Sequence, residues 1–122
     1  MKLSIIIPAF NAASYIEKCV RSCEKQDVKK DEYEVIIVDD GSTDNTKDCV
    51  KTLQKEFSNI IYIFQENARQ GAARNNGLRI AKGVYIWYVD ADDWIEENCL
   101  GEILRRIEKD FLTALAVRHA KY

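Results

Sequence analysis

Three carboxylates crowd into the four positions Asp90-Ala91-Asp92-Asp93, directly after the apolar run Val84-Tyr85-Ile86-Trp87-Tyr88-Val89. That run is long enough for a strand and too apolar to face water, so the acids emerge where a buried strand ends. Negative charges this close repel one another, and a divalent cation turns the same crowding into a binding site. Hard oxygen donors suit Mg2+ or Mn2+ better than Zn2+. An acidic turn leading into the next helix is the competing reading, and the cluster alone does not separate the two.

Other polar groups follow apolar runs in the same way. Ser4-Ile5-Ile6-Ile7-Pro8-Ala9-Phe10-Asn11 ends in a proline that lacks an N–H, so ladder pairing is expected to stop there and leave the following backbone groups free for a ligand. In Val38-Asp39-Asp40-Gly41-Ser42-Thr43-Asp44, Gly41 permits a tight turn and the Ser42 or Thr43 hydroxyl is expected to cap the next helix. Asp39 and Asp40 have no such structural explanation. They fall where a base or ribose could be hydrogen-bonded. Between Glu66 and Gly77, Arg69 and Arg74 offer guanidinium donors suited to phosphate or nucleobase oxygens, and Gly71 allows close approach of backbone to a neighbour or ligand. Gly77 inside a helix costs roughly 1 kcal/mol relative to Ala, so close packing is its expected reason.

The elements that must position these groups alternate. Leu3 to Ala9, Glu34 to Asp39, Ile60 to Gln65 and Val84 to Val89 read as strands rich in β-branched residues. Ser14 to Gln26, Asp44 to Phe57 and Gly71 to Ala81 read as helices, with apolar residues at helical spacing: Ile16, Val20 and Cys23, then Cys49, Val50, Leu53 and Phe57, then Ala73, Leu78 and Ala81. Ser14 is the expected cap of the first. A fourth helix is expected from Asn98 to about Glu108, and Lys25 to Glu32 reads as a surface loop. From Phe111 to Tyr122 neither strand nor helix period wins. Alternation at this spacing implies parallel crossovers and an α/β sheet covered on both faces, whose ligands bind outside the carboxyl ends of the strands.

At 122 residues and 47% hydrophobic content the chain has material for one core and one domain, residues 1–122. The net charge is only -2 and the Lys and Arg residues are scattered, which excludes an electrostatic footprint for nucleic acid. No stretch approaches a membrane span and the N-terminal apolar run is too short for a signal peptide, so a cytoplasmic domain is expected, at the membrane's cytoplasmic face if another region or partner supplies an anchor. Cys19, Cys23, Cys49 and Cys99 lack C-x-x-C spacing and read as reduced, partly buried thiols. His119, the only histidine, reads as a surface or partly packed residue rather than a catalytic one.

Taken in order, Ser4 to Asn11, Val38 to Asp44, Gly71 to Gly77 with Ala73-Arg74-Asn75, and Asp90 to Asp93 resemble the N-terminal part of a family 2 glycosyltransferase, over about residues 3 to 108. The resemblance implies a GT-A fold: a Rossmann-like three-layer sandwich with a mainly parallel sheet. It implies a nucleotide-sugar site, the nucleotide UDP by expectation, with Pro8, Ala9 and Asn11 around the nucleoside, Asp39 on the base, Arg74 nearby and Asp90, the first Asp of a D-x-D motif, towards the ribose. Asp92 would hold Mn2+ or Mg2+ at the diphosphate, and transfer to a glycan, lipid-linked or protein acceptor would be inverting. In this family the general base is an acidic residue well downstream of D-x-D, so the chain reads as the donor half alone, truncated before the acceptor-binding part and slow or inactive in turnover. Glu96 and Glu97 match no motif of the family.

Two other classes compete. A signalling receiver domain has similar length and an acidic pair at a strand end, but that pair follows its first strand, whereas Asp39-Asp40 follows the second here. A non-catalytic nucleotide-binding module would keep the same site without turnover. A dinucleotide-binding dehydrogenase is disfavoured because no G-x-G-x-x-G follows the first strand.

Overall fold

Every residue of two strands, β1 (Leu3–Ala9) and β2 (Tyr33–Asp40), is buried. Such strands need cover on both faces, and the β-branched runs Ile5-Ile6-Ile7 and Val35-Ile36-Ile37-Val38 supply an apolar surface in each direction. The computed structural model describes the backbone of residues 1–68 and 70–121 and the side chains of residues 1–68 and 71–110. Arg69, the side chain of His119 and Tyr122 therefore lie outside the described residues.

The remaining elements are α1 (Ile16–Glu24), α2 (Thr46–Glu56), β3 (Ile60–Gln65), α3 (Gln70–Ile80), β4 (Tyr85–Tyr88) and α4 (Leu100–Lys121). All strand pairs are parallel, in the order β3-β2-β1-β4. Odd-numbered residues of β1 and β2 (Ile5, Ile7, Val35, Ile37) join α1, α2 and the start of α4 in one core, centred on Ile16, Val20, Leu53 and Leu100. Even-numbered residues (Ile6, Ile36, Val38) meet Ala73 of α3 on the other face. The expected three-layer sandwich is thus present.

Topology decides where a ligand can sit. From β1 the chain steps outwards to β2 and β3 with α1 and α2 on one face, then returns across the sheet to β4 with α3 on the other. Right-handed crossovers in opposite directions must use opposite faces. The chain therefore leaves β1 on one face and arrives at β4 from the other, which makes the β1–β4 boundary the topological switch point of the sheet, where ligands of such folds sit in the crevice at the carboxyl ends.

Several local expectations need correction. Pro8 ends pairing on one side only: β1 stays in register with β2 through Pro8↔Val38 and Ala9↔Asp39, whereas pairing with β4 stops at Ile6↔Tyr88. Val89 N–H donates to the Ile6 carbonyl, so even-numbered β1 residues face β4, and Pro8 faces the side where β4 has already ended. Neither Ser14 nor Ser42 nor Thr43 caps a helix; α1 and α2 begin after Tyr15 and Asn45, which make no side-chain cap bond. The loop from Lys25 to Glu32 carries more than solvent contacts. Gln26 Oε1 accepts the N–H groups of Cys99 and Leu100, and Asp27 Oδ1 that of Gly101, so this loop caps α4 from a distance. The segment with no winning period continues α4 as helix to Lys121.

Helix α3 packs through its smallest residues. Ala73 is buried, while Leu78, expected on the same face, is 47% exposed. A Cβ on Gly77 would lie 2.6 Å from Ile6 Cγ2 and 3.2 Å from Val38 Cγ2, which confirms close packing as the reason for glycine there. A Cβ on Gly71 would meet nothing within 4 Å. Gly77→Ala is therefore expected to lose about 1–3 kcal/mol through overpacking, while Gly71→Ala is neutral or gains a few tenths, up to about 1 kcal/mol, from helix propensity. Urea titration of both variants checks the pair, and equal stability of the two would contradict this packing.

Candidate functional site

The loops after β1 and β2 are held by bonds that cross between them. Asn11, at φ 47, takes the left-handed conformation and turns its side chain into the β2–α2 loop. Its Oδ1 accepts from Thr43 N (2.9 Å) and Asp44 N (3.4 Å), while its own N–H donates to Ser42 Oγ at 2.8 Å. In return, Thr46 Oγ1 accepts from Ala12 N at 2.9 Å and Asp44 Oδ2 from Ala13 N at 3.2 Å. Donors near the start of α1 are thus met by side chains at the start of α2. Asp44 Oδ1 also accepts from Thr46 N at 3.0 Å and Thr46 Oγ1 at 2.5 Å, and these bonds, the hydroxyl's first, hold the Asp44 carboxyl below the usual range.

Asp39 and Asp40 end β2 and point into protein. Asp39 is fully buried: Oδ1 accepts from Ser42 N at 2.9 Å and Oδ2 from the Tyr62 hydroxyl at 2.6 Å. Burial, then the bond to Asp39 and its charge, push the Tyr62 phenol well above its usual range, so its proton stays in that bond. Asp40, 6% exposed, accepts on Oδ1 from Gln65 Nε2 (2.9 Å) and Ala68 N (2.7 Å). Gly41 makes the turn at φ 82, and a Cβ there would lie 2.8 Å from Asn67 N, so the β2–α2 turn and the β3–α3 segment touch backbone to backbone.

Asp90, Asp92 and Asp93 have the opposite character. All three are exposed, and each offers an oxygen within 4.8 Å of the others. They lie in a tight turn closed by Asp93 N–H to Asp90 O at 3.0 Å, just past β4 at the crevice beside β1. Arg74 reaches over from α3, its Nη2 4.0 Å from Asp90 Oδ1 and its guanidinium 5.8 Å from the centroid of the Tyr88 ring. Among the described residues one cation at that distance leaves most of three negative charges uncompensated, and a cluster of oxygen donors without His or Cys fits a hard divalent ion. Beneath the turn the buried Cys19 thiol donates to Asp90 O at 3.5 Å. Its bond with Cys23, then burial and the charges of Asp93 and Asp92, push that thiol far up, so it is neither nucleophile nor thiolate ligand. All four cysteines are free, two buried and two half-buried, as expected.

Among the sequence-derived residues, the structure therefore brings Arg74 to Asp90 and gathers Asp90, Asp92 and Asp93. Pro8 and Ala9 are buried in β1, so only their backbone edge is available, and Asn11 is exposed at the loop between β1 and α1. Sequence reading missed Tyr62, Thr46, Gln65 and Asn76. Gln65 stands at a strand's carboxyl end and could have been found by that rule; Tyr62 lies mid-strand and gives no such signal. Trp94, 59% exposed just after the acidic turn, carries the Lys18 ammonium 3.8 Å from its ring centroid.

Known proteins resemble this chain in sequence and in fold. The sequence profile described as "Glycosyl transferase family 2" matches residues 4–122. The chain is 40% identical over 102 residues to a poly(ribitol-phosphate) beta-glucosyltransferase of Bacillus spizizenii, covering 82% of this chain and 16% of that protein. It is 36% identical over 112 residues to the GalNAc(5)-diNAcBac-PP-undecaprenol beta-1,3-glucosyltransferase of Campylobacter jejuni, covering 90% of this chain and 36% of that one. The chain thus spans well under half the length of these relatives. Among solved structures, Staphylococcus aureus TarS 1-349 in complex with UDP-GlcNAc superposes with a TM-score of 0.86 at 34% identity, over 91% of this chain and 32% of TarS 1-349. The mannosyltransferase PcManGT of Pyrobaculum calidifontis, in complex with GDP-Man and Mn2+, gives 0.67 at 31% identity over 76% and 28%.

The crossed loops predict a pH effect. Because the folded Asp44 carboxyl titrates below its unfolded value, its stabilisation is present above the unfolded pKa and is lost as pH falls through the folded one. Asp44→Asn is expected to lower stability at pH 7 and to flatten the acid side of the pH–stability curve, read by urea midpoints from pH 7 to pH 3. An unaltered acid limb would show that Asp44 does not hold these loops.

Proposed function

The chain belongs to glycosyl transferase family 2, and from that premise we propose that it carries the donor site of an enzyme that moves a sugar from a nucleotide sugar to an acceptor hydroxyl. Its fold is of the GT-A type. One observation carries the reading: three exposed carboxylates stand together at the switch-point crevice with the Arg74 guanidinium beside them. TarS bound to UDP and to UDP-GlcNAc, and PcManGT bound to GDP-Man and Mn2+, support it by fold and sequence.

In this reading Asp92 holds Mn2+ or Mg2+, Asp90 is directed to the ribose, and Arg74 restrains Asp90 while it offers donors to the nucleotide. When bound, the cation acts as a Lewis acid on the charge that grows on the departing nucleoside diphosphate. The backbone at Pro8 and Ala9 and the side chain of Asn11 line the nucleoside, fixed by the crossed bonds to the Ser42–Asp44 loop. Asp39 accepts from the base. Each of its oxygens already accepts once and keeps a second lone pair, so a base N–H finds an acceptor there once Tyr62 or the Gly41–Ser42 turn gives way. A fixed acceptor distinguishes bases by the N–H they present, and an uncharged sheet edge would not. The acceptor's proton is assigned to no described side chain; Glu97 is paired with Lys25 at 3.6 Å, and Glu96 offers its backbone carbonyl to Gln26. Inversion at the anomeric carbon and a glycan, lipid-linked or protein acceptor complete the proposal, with the cytoplasm as its compartment. No helix among the described residues is long and apolar enough to cross a membrane.

Calorimetry with UDP, and with other nucleoside diphosphates in parallel, tests the site. Binding is expected only with Mn2+ or Mg2+ present, and Asp92→Ala should weaken it by about tenfold or more. Binding that needs no metal and survives Asp92→Ala unchanged would refute the assignment.

A further inference from the structure

The second aspartate of the β2 end sits at a junction that the donor-site reading leaves unused. Among the described residues, both of the bonds that Asp40 accepts end on the same oxygen, Oδ1, one from Gln65 Nε2 at 2.9 Å and one from Ala68 N at 2.7 Å. Gln65 uses its other end too, its Oε1 accepting from Asn76 Nδ2. Asn76 lies on α3 two residues beyond Arg74, the residue whose guanidinium meets Asp90. Gly41, next to Asp40, presses against the backbone of Asn67 in the same segment. One buried carboxylate therefore holds the segment before α3 by its backbone at Ala68 and reaches α3 itself through a side-chain relay.

We infer that Asp40 is a positioning residue of the nucleotide site, setting α3, and with it Arg74, against Asp90 through Gln65 and Asn76, by acceptor geometry rather than by charge. The inference rests on the proposed donor site. Its distinguishing feature is the convergence on one oxygen. An asparagine at this position presents the same carbonyl-type acceptor to both donors, so the relay survives the loss of charge. A carboxylate that touched a cation directly would not be replaced so well, because a neutral amide brings no negative charge to it.

The test compares UDP binding in Mn2+ for the wild-type chain, Asp40→Asn, Asp40→Ala and Asn76→Ala by calorimetry, alongside hydrogen exchange at the Ala68 amide. Asp40→Asn should bind within about twofold of wild type and keep the Ala68 amide protected. Asp40→Ala should bind about tenfold more weakly, the cost of one lost hydrogen bond, with Ala68 exchanging fast. Asn76→Ala, a half-buried helix position that leaves the carboxylate intact, should weaken UDP similarly while Ala68 stays protected, and it serves if Asp40→Ala fails to fold. Equal damage from Asp40→Asn and Asp40→Ala would overturn the inference in favour of a direct charge role. Wild-type affinity in Asn76→Ala would overturn the relay. A wild-type chain that binds no nucleoside diphosphate would refute the donor-site reading itself, and the positioning role with it.

Discussion

Burial of both faces of β1 and β2 is the constraint from which the rest follows. Strands buried all along their length admit polar side chains only where these satisfy one another, as Ser4 and Glu34 do at the amino end, and a backbone engaged in ladders has few spare donors there. Chemistry is displaced to the carboxyl edge. At that edge the winding reverses between β1 and β4, the place where ligands of such sheets bind. Site position is thus a result of how the sheet is covered, before any particular side chain is considered.

Five aspartates at that edge share one chemistry and divide into two populations by environment. Asp39 and Asp40 are buried, both oxygens of Asp39 accepting from Ser42 and Tyr62 and Oδ1 of Asp40 from Gln65 and Ala68. A buried carboxylate left without such donors would carry a large desolvation cost, so these bonds are a condition of its being there. Asp90, Asp92 and Asp93 remain in water, where repulsion among them is tolerable and where a cation has access. The first population shapes the loops, with Asp39 also offered to the base in the proposed site, and the second is open to a ligand from solvent. The crossed bonds from Asn11, Asp44 and Thr46 belong with the first: they let two helices begin at the same edge without conventional caps.

Legibility in the sequence followed the range of the interaction. The strands were read nearly to their ends, since β-branched runs are a local signal; β2 proved longer by Tyr33 and Asp40, and β4 shorter by Val84 and Val89. Gly77 was read correctly because a helix tolerates an internal glycine only for a reason of packing. Helix starts were misread: Ser42 and Thr43 are cap-forming types engaged instead by Asn11, some thirty residues away, and Ser14 precedes a helix that begins only after Tyr15. Leu78 was misplaced for a similar reason: α3 must approach Ile6 closely, and only Ala73 and Gly77 are small enough for that face. The acidic turn was legible as a cluster, and its link to Arg74 came from resemblance rather than spacing. Tyr62 and the chain from Asp40 to Asn76 could not be read at all, as they exist only once β2, β3 and α3 are side by side.

The β1–β4 pairing has a consequence for how the molecule forms. Leu3 pairs with Tyr85 and Ile6 with Tyr88, so β1 finds one neighbour early in β2 and the other only after three more elements have been made. Closing so long a loop is entropically the most demanding step of the sheet, and such non-local pairing slows folding. During synthesis the β4-facing edge of β1, an apolar strand with its hydrogen bonds unmet, stays open until the residues around Asp90 have emerged. The acidic turn and the strand it completes therefore arrive together, and the interval before they do is when this chain is most open to pairing with the wrong partner.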